Sequence, residues 1–302
     1  MSGITSLTPA SRWSISAREL AVWSLATVAI GYFARDIRAA SDIRAASDFA
    51  EPALQSFIDG IVSDSAFVVF AWIFILARAV RTLATEAASA KQISFALLAG
   101  AISVAPFRLA NACALVVLGL TFLSIRGSRQ AGRDIAWCLF ALALESIWLL
   151  SLIAPLHVLL GHLDARICVL LLDLLNMTAH VQGGIVENAT TGFSLVILPP
   201  CSSSYPLAAV ALAFTVVIIY LGQRPRLRHL PFLAASLIAS MVLTELRLTL
   251  LAIDLPTYDW WHSGPGTSIY AMAALGLAAL FPVMATRSAT PATGLRYDRR
   301  LA

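Results

Sequence analysis

Eight apolar runs, most of them close to the length of a bilayer-crossing helix, leave this chain few folds to adopt; they cover roughly residues 17–34, 62–80, 92–107, 109–125, 135–161, 205–222, 230–253 and 266–286. A hydrocarbon core about 30 Å thick takes about 20 apolar residues of helix, because each residue rises only about 1.5 Å. Charge is too scarce for the alternative. Only 13% of residues are charged and 59% are hydrophobic, whereas a soluble domain carries about 25% charged residues to coat its surface. Lipid solvates an apolar exterior, and helices satisfy their own backbone polar groups there. The expected fold class is therefore an all-α polytopic membrane protein with about eight transmembrane helices. The third and fourth runs are short and divided only by Arg108, which predicts a tight hairpin. The first run follows Arg12 and Arg18 without a small-x-small cleavage site, so it reads as a retained span rather than a removed signal peptide.

Loop charges set the expected orientation. With the N-terminus inside, the inner segments hold Arg78, Arg81, Lys91, Arg126, Arg129, Arg133, Arg224, Arg226, Arg228, Arg287, Arg296, Arg299 and Arg300 besides Arg12 and Arg18, which is 15 of the 21 Lys and Arg. Most acidic residues fall on the opposite face, among them Asp36, Glu51, Asp164, Glu187, Asp254 and Asp259. Every inner loop is basic, as the positive-inside rule requires. Both termini are then cytoplasmic, in an inner membrane. The net charge of +4 is an orientation signal and not a nucleic-acid footprint, since the chain has no long basic tract and no zinc-finger spacing.

Two outer segments are long. Residues 35–60 carry the hexapeptide DIRAAS twice, at 36–41 and 42–47, and suggest a short polar helix or a replication slip with no chemistry. Residues 162–204 begin with LDARICVLLLDLLNM, an amphipathic stretch suited to the membrane interface. GIVEN and FSLVIL then flank ATTG and predict a β-hairpin just before the sixth span.

An ionisable group inside a span is costly and is a functional candidate for that reason. Glu145, Glu245 and Arg247 are such groups. Arg247 either snorkels to the outer interface or faces a polar pocket as a fixed cation. Glu245 lies two positions from Arg247 and so points elsewhere on the helix; an interhelical hydrogen bond is its plainer role, as it is for Glu145. Cys201 lies in PCSSS at the outer start of span six, where Pro199 and Pro200 force the helix to begin after them. Serine caps and a helix N-terminus would favour its thiolate. Inert packing and a disulfide to Cys168 are the competing readings. His262, in DWWHSGPGTS, is held near the interface by Trp260 and Trp261; His180 is a rival on the outer loop. A thiol, a cation and an imidazole on one face supply a nucleophile, an oxyanion stabiliser and a general acid/base.

At this point the sequence resembles the exosortase/archaeosortase family over roughly residues 135–286. The resemblance rests on Cys201-Ser202 after FSLVILPP, Arg247 in TELR and His262 in HSGPG. It implies about eight spans and a catalytic Cys201, Arg247 and His262, with Ser202, Thr244 and Glu245 in support. Ser203 stands where the family usually has glycine, and Thr244 where it usually has asparagine. The implied activity is that of a cysteine endopeptidase or transpeptidase. Its implied partners are exported proteins bearing a C-terminal sorting signal made of a short motif, a transmembrane helix and a basic tail, within membrane lipid. No cofactor, metal or nucleic acid is expected. Three regions follow: a four-span part over 1–134, a catalytic part over 135–286 and a basic cytoplasmic tail over 287–302.

Two other function classes compete. A transporter or polysaccharide-assembly component would use Glu145, Glu245 and Arg247 as a substrate or proton path and would not need Cys201. An intramembrane peptidase could use Asp254 and Asp259, which lie five apart in one loop. The chain contains no G-x-S-x-G, H-E-x-x-H or phosphate-binding glycine loop.

Overall fold

Prolines, caps and glycines decide where the apolar runs become helices. The computed structural model describes residues 15–45, 66–83, 87–105, 108–125, 127–148, 154–198 and 201–288. It is mostly helical: α1 (Ala17–Ala45), α2 (Ala66–Thr82), α3 (Ala90–Ser103), α4 (Arg108–Leu123), α5 (Arg129–Trp148) and α6 (Ala154–Leu174) precede a small sheet. After the sheet come α7 (Leu207–Tyr220), α8 (Leu230–Leu251), α9 (Leu255–His262) and α10 (Pro265–Arg287). Pro199, Pro200, the end of the second hexapeptide and the tail beyond residue 288 lie outside the described residues. So do residues 106 and 107 of the expected hairpin between spans three and four, which α3 and α4 flank.

Three expectations need correction. The run expected to end at 34 continues as α1 to Ala45, so the first hexapeptide extends that helix and does not form a separate one. The run 135–161 is not one helix, because α5 ends at Trp148 and α6 begins at Ala154 with Pro155 in its first turn. Proline lacks an N–H and disrupts a helix interior, but it suits a first turn. The amphipathic stretch from Leu163 is accordingly the continuation of α6 and not a separate element. Asn176 ends it in the left-handed conformation, φ 61°, and the Met177 N–H returns to the Leu172 carbonyl at 3.0 Å, as in a Schellman motif. The hairpin is the second half of a three-stranded antiparallel sheet, β1 (Ala179–Gln182), β2 (Ile185–Asn188) and β3 (Phe193–Val196). Gln182 pairs with Ile185 across Gly183-Gly184, and Gly183 has φ +64°. A two-residue Gly-Gly loop is a strong hairpin signal, since both positions tolerate positive φ.

Large apolar side chains cover the outside of the helices: Trp23 is 73% exposed, Leu97 68% and Met272 73%. Water would penalise such a belt, and lipid does not. Inside, small residues let the helices approach. A Cβ on Gly31 would lie 2.7 Å from the Ser103 carbonyl oxygen, and one on Gly119 would lie 2.6 Å from the Phe140 ring. Close approach of this kind, backbone to backbone at Gly31 and ring to backbone at Gly119, takes the place of the hydrophobic drive that lipid removes. By length and composition, Leu227–Leu251 and Pro265–Arg287 are able to cross a membrane; α3, α7 and Leu109–Leu123 are apolar but shorter.

Polar contacts sort the loops onto two ends of the bundle. At one end, Arg18 donates to the Leu83 carbonyl at 2.9 Å, Arg78 pairs with buried Asp134 at 2.8 Å, and Arg224 reaches Gln130. At the other, Trp148 Nε1 donates to the Ser204 carbonyl at 2.9 Å. There Asn188 Nδ2 donates to the carbonyls of Ala252 at 3.3 Å and Ile253 at 2.9 Å. Asn188 is fully buried and closes the end of α8 with the sheet. Asn188→Ala leaves the buried Ala252 carbonyl without this donor, while the Ile253 carbonyl keeps the Thr191 hydroxyl at 2.7 Å, at a cost of about 1–3 kcal/mol. The expected result is a lower melting temperature in detergent, with new proteolytic cuts within 178–198. Glu145 accepts from the Tyr32 hydroxyl at 2.7 Å between α5 and α1, which gives it the plain interhelical contact expected of it.

Candidate active site

Cys201 lies in a single 3-10 turn, and residues 202–206 turn further before the next helix starts. α7 begins at Leu207 with Pro206 as its N-cap and no side-chain cap bond. The expectation that serines cap a helix at Cys201 therefore fails, because Pro206 has no N–H to donate and disfavours helical backbone at Tyr205, which moves the helix start downstream. The serines have other partners. Ser203 donates through its N–H to Asp164 Oδ2 at 2.9 Å and through its hydroxyl to Asp164 Oδ1 at 2.6 Å. Ser202 and Ser204 share a hydroxyl hydrogen bond of 2.8 Å. All three serines and Asp164 are at most 1% exposed. Cys201 itself is half-buried, and its N–H bonds the Leu198 carbonyl at 2.8 Å. Cys168 and Cys201 are both thiols, so the disulfide reading is not realised.

Cys201 packs against the apolar cluster that joins α6, the sheet and the C-terminal end of α8, and so do Phe193, Tyr258 and Trp261. His262 is the last residue of α9, not a loop residue, and its ring stacks on Tyr258 at 4.8 Å. Tyr258 in turn packs on Phe193 at 5.8 Å. Asp254 is the N-cap of α9 and accepts from the Thr257 N–H at 2.8 Å. The Thr257 hydroxyl and N–H hold its carboxyl below the usual carboxylate range. A carboxylate committed to a cap is a poor peptidase base, which counts against the Asp254 and Asp259 reading. His180 sits on β1 facing Glu187 across the sheet, away from this cluster.

Arg247 lies four residues from the end of α8 at Leu251, hence about 6 Å below it. Its guanidinium lies over the Tyr270 ring at 4.5 Å and reaches the Trp261 carbonyl at 3.4 Å, one residue from His262. Its buried Nε has no acceptor among the described residues. Thr244, in the TELR segment, donates to the Ser240 carbonyl at 3.0 Å and meets the Tyr270 hydroxyl at 3.0 Å. A threonine has one O–H to give, so Tyr270 is the donor there. Thr244 thus sets the ring on which Arg247 lies. The Thr267 hydroxyl lies between the carbonyls of Trp261 and His262, at 3.2 Å and 2.9 Å. Gly266 fits closely below the tryptophans, since a Cβ there would meet the Trp260 ring at 2.5 Å.

Glu245 points away from Arg247, as its spacing requires. It is 7% exposed, faces Asp164 and Ser203, and neither of its oxygens has a well-formed hydrogen bond among the described residues. Sequence reasoning missed Asp164 as a partner of the cysteine loop. The only available signal was an acid within an apolar helix.

A model of the transmembrane exosortase family matches residues 63–279, a stretch that holds Cys201, Arg247 and His262 and starts well before residue 135. Comparison with curated proteins and with solved structures returns no match. The match covers well over half of the chain, and the chain belongs to the transmembrane exosortase family.

Proposed function

We propose that this membrane protein is a cysteine endopeptidase or transpeptidase with Cys201 as nucleophile, Arg247 as oxyanion or substrate stabiliser and His262 as general acid/base. What supports this is that Cys201, Tyr258 and Trp261 all pack against one apolar cluster, while the Tyr258 ring stacks on His262 and the Trp261 carbonyl accepts from Arg247. Substrates are exported proteins with a C-terminal sorting signal of short motif, transmembrane helix and basic tail. The chain crosses an inner membrane about eight times with both termini cytoplasmic, and the site opens to the periplasm or exterior. The basic inner loops support that orientation.

His262 takes the Cys201 proton, and the thiolate attacks the carbonyl carbon of the scissile peptide. Arg247 stabilises the oxyanion. The C–N bond breaks as the imidazolium protonates the departing amine, leaving a thioester on Cys201. An acceptor nucleophile then gives its proton to His262 and attacks that thioester, which releases the thiol.

The test is co-expression of a candidate substrate with His262→Ala. Processing is expected to fall about 100- to 10,000-fold, the range of a lost general acid/base. His262→Gln keeps a hydrogen-bonding group without a titrating proton and should be as poor. Normal processing by either variant removes His262 from the scheme.

A further inference from the structure

We propose that Asp164 is the positioning residue of the nucleophile: from α6 it clamps the cysteine loop through both hydrogen-bonding groups of Ser203. This rests on the reading of Cys201 as nucleophile. Ser203 is two residues from Cys201, and its N–H and hydroxyl go to the two oxygens of one carboxylate, at 2.9 Å and 2.6 Å. Asp164 is 1% exposed and Ser203 fully buried, so water does not compete for either bond. A grip that uses both oxygens of one carboxyl fixes the orientation of the loop as well as its position. A second anchor holds the same loop from the other side, where Trp148 donates to the Ser204 carbonyl at 2.9 Å. Cys201 is thereby fixed between α5 and α6, whereas Arg247 and His262 come from α8 and α9. Asp164 is the tie between the thiol's loop and the rest of the outer cluster, which lies on the same helix at Ala165, Cys168 and Leu172. Ser203 occupies the usual glycine position, so the hydroxyl half of the clamp is a feature of this chain.

The clamp predicts opposite movements of reactivity and catalysis. Released from Asp164, the loop exposes the Cys201 thiol while losing its aim at the substrate carbonyl. In full-length protein in membranes, Asp164→Asn is expected to speed alkylation of Cys201 by an impermeant maleimide several-fold. Processing of a co-expressed substrate should fall on the order of 10- to 100-fold, the cost of a misplaced reacting group. In detergent, kcat for a model substrate should fall with KM unchanged. Cys138 and Cys168 are fully buried and report on folding in the same mass spectrum; both should stay unlabelled. Should Asp164→Asn expose them, Ser203→Ala carries the test, because it keeps the N–H bond and deletes only the hydroxyl. The double variant should be no worse than Asp164→Asn alone, since both remove one contact. Unchanged Cys201 labelling and processing in a folded Asp164 or Ser203 variant overturns the proposal. Full processing by Cys201→Ala would instead overturn the parent reading, and the labelling result would still stand on its own.

Discussion

Cys201→Ala should abolish processing of a co-expressed substrate while the protein still inserts and accumulates normally. Loss of a nucleophile costs on the order of 10,000-fold or more when covalent chemistry carries the reaction. Rescue from the neighbours is closed off. Ser202, Ser203 and Ser204 stand beside the cysteine, yet all are at most 1% exposed, and their hydroxyls are bound to one another or to Asp164. Cys138 and Cys168 are fully buried. The structural cost of the change is small, because Cys201 is half-buried and adds one sulfur to the edge of a cluster held by larger apolar groups such as Leu248, Leu251 and Leu172. A substrate blot should therefore show full-length precursor beside normal enzyme levels, and Cys201→Ser should look the same, since an unactivated hydroxyl is the weaker nucleophile. A processed substrate in the Cys201→Ala strain would mean that this chain works by other chemistry, and the transport reading through Glu145 and Arg247 would then lead.

Helix positions were legible because apolar length is a strong signal: the runs at 205–222, 230–253 and 266–286 differ from α7, α8 and α10 by only a few residues at each end. Breaks were less legible. Pro155 and Pro206 each reset a boundary that hydropathy alone runs through or places too early, because proline acts through a missing N–H and a fixed φ and not through polarity. The short helix α9 looked like a loop, since its eight residues are too few for periodicity and its evidence is a cap at Asp254 and a proline at the first turn. The Arg247 setting was only half legible. Its depth could be counted, but the ring of Tyr270 beneath it comes from another helix, and no local pattern joins residues 247 and 270. Asp164 is the same case: its partner, Ser203, lies 39 residues on.

Arg247→Lys is the substitution that separates the two roles left open by the sequence. If the arginine merely snorkelled to the interface, lysine would serve as well, because both side chains carry an apolar stem and a charged tip. The observed setting asks for more than charge. The guanidinium carbon lies over the Tyr270 ring at 4.5 Å while one terminal nitrogen reaches the Trp261 carbonyl at 3.4 Å, and the buried Nε has no acceptor among the described residues. An ammonium is a compact, strongly hydrated point and cannot stack, span to the carbonyl and present a second donor together. Processing should fall about 100- to 1,000-fold in Arg247→Lys, the usual cost of a lost oxyanion donor. Alkylation of Cys201 should stay near normal, since the thiol's own anchors are on α5 and α6. Tyr270→Phe keeps the ring and loses only the bond to Thr244, a contribution of about 0.5–1.5 kcal/mol, so its effect should be several-fold and no more. Tyr270→Leu removes the platform itself and should approach the lysine variant. Wild-type processing by Arg247→Lys would return this residue to the snorkelling role and leave the oxyanion without its cation.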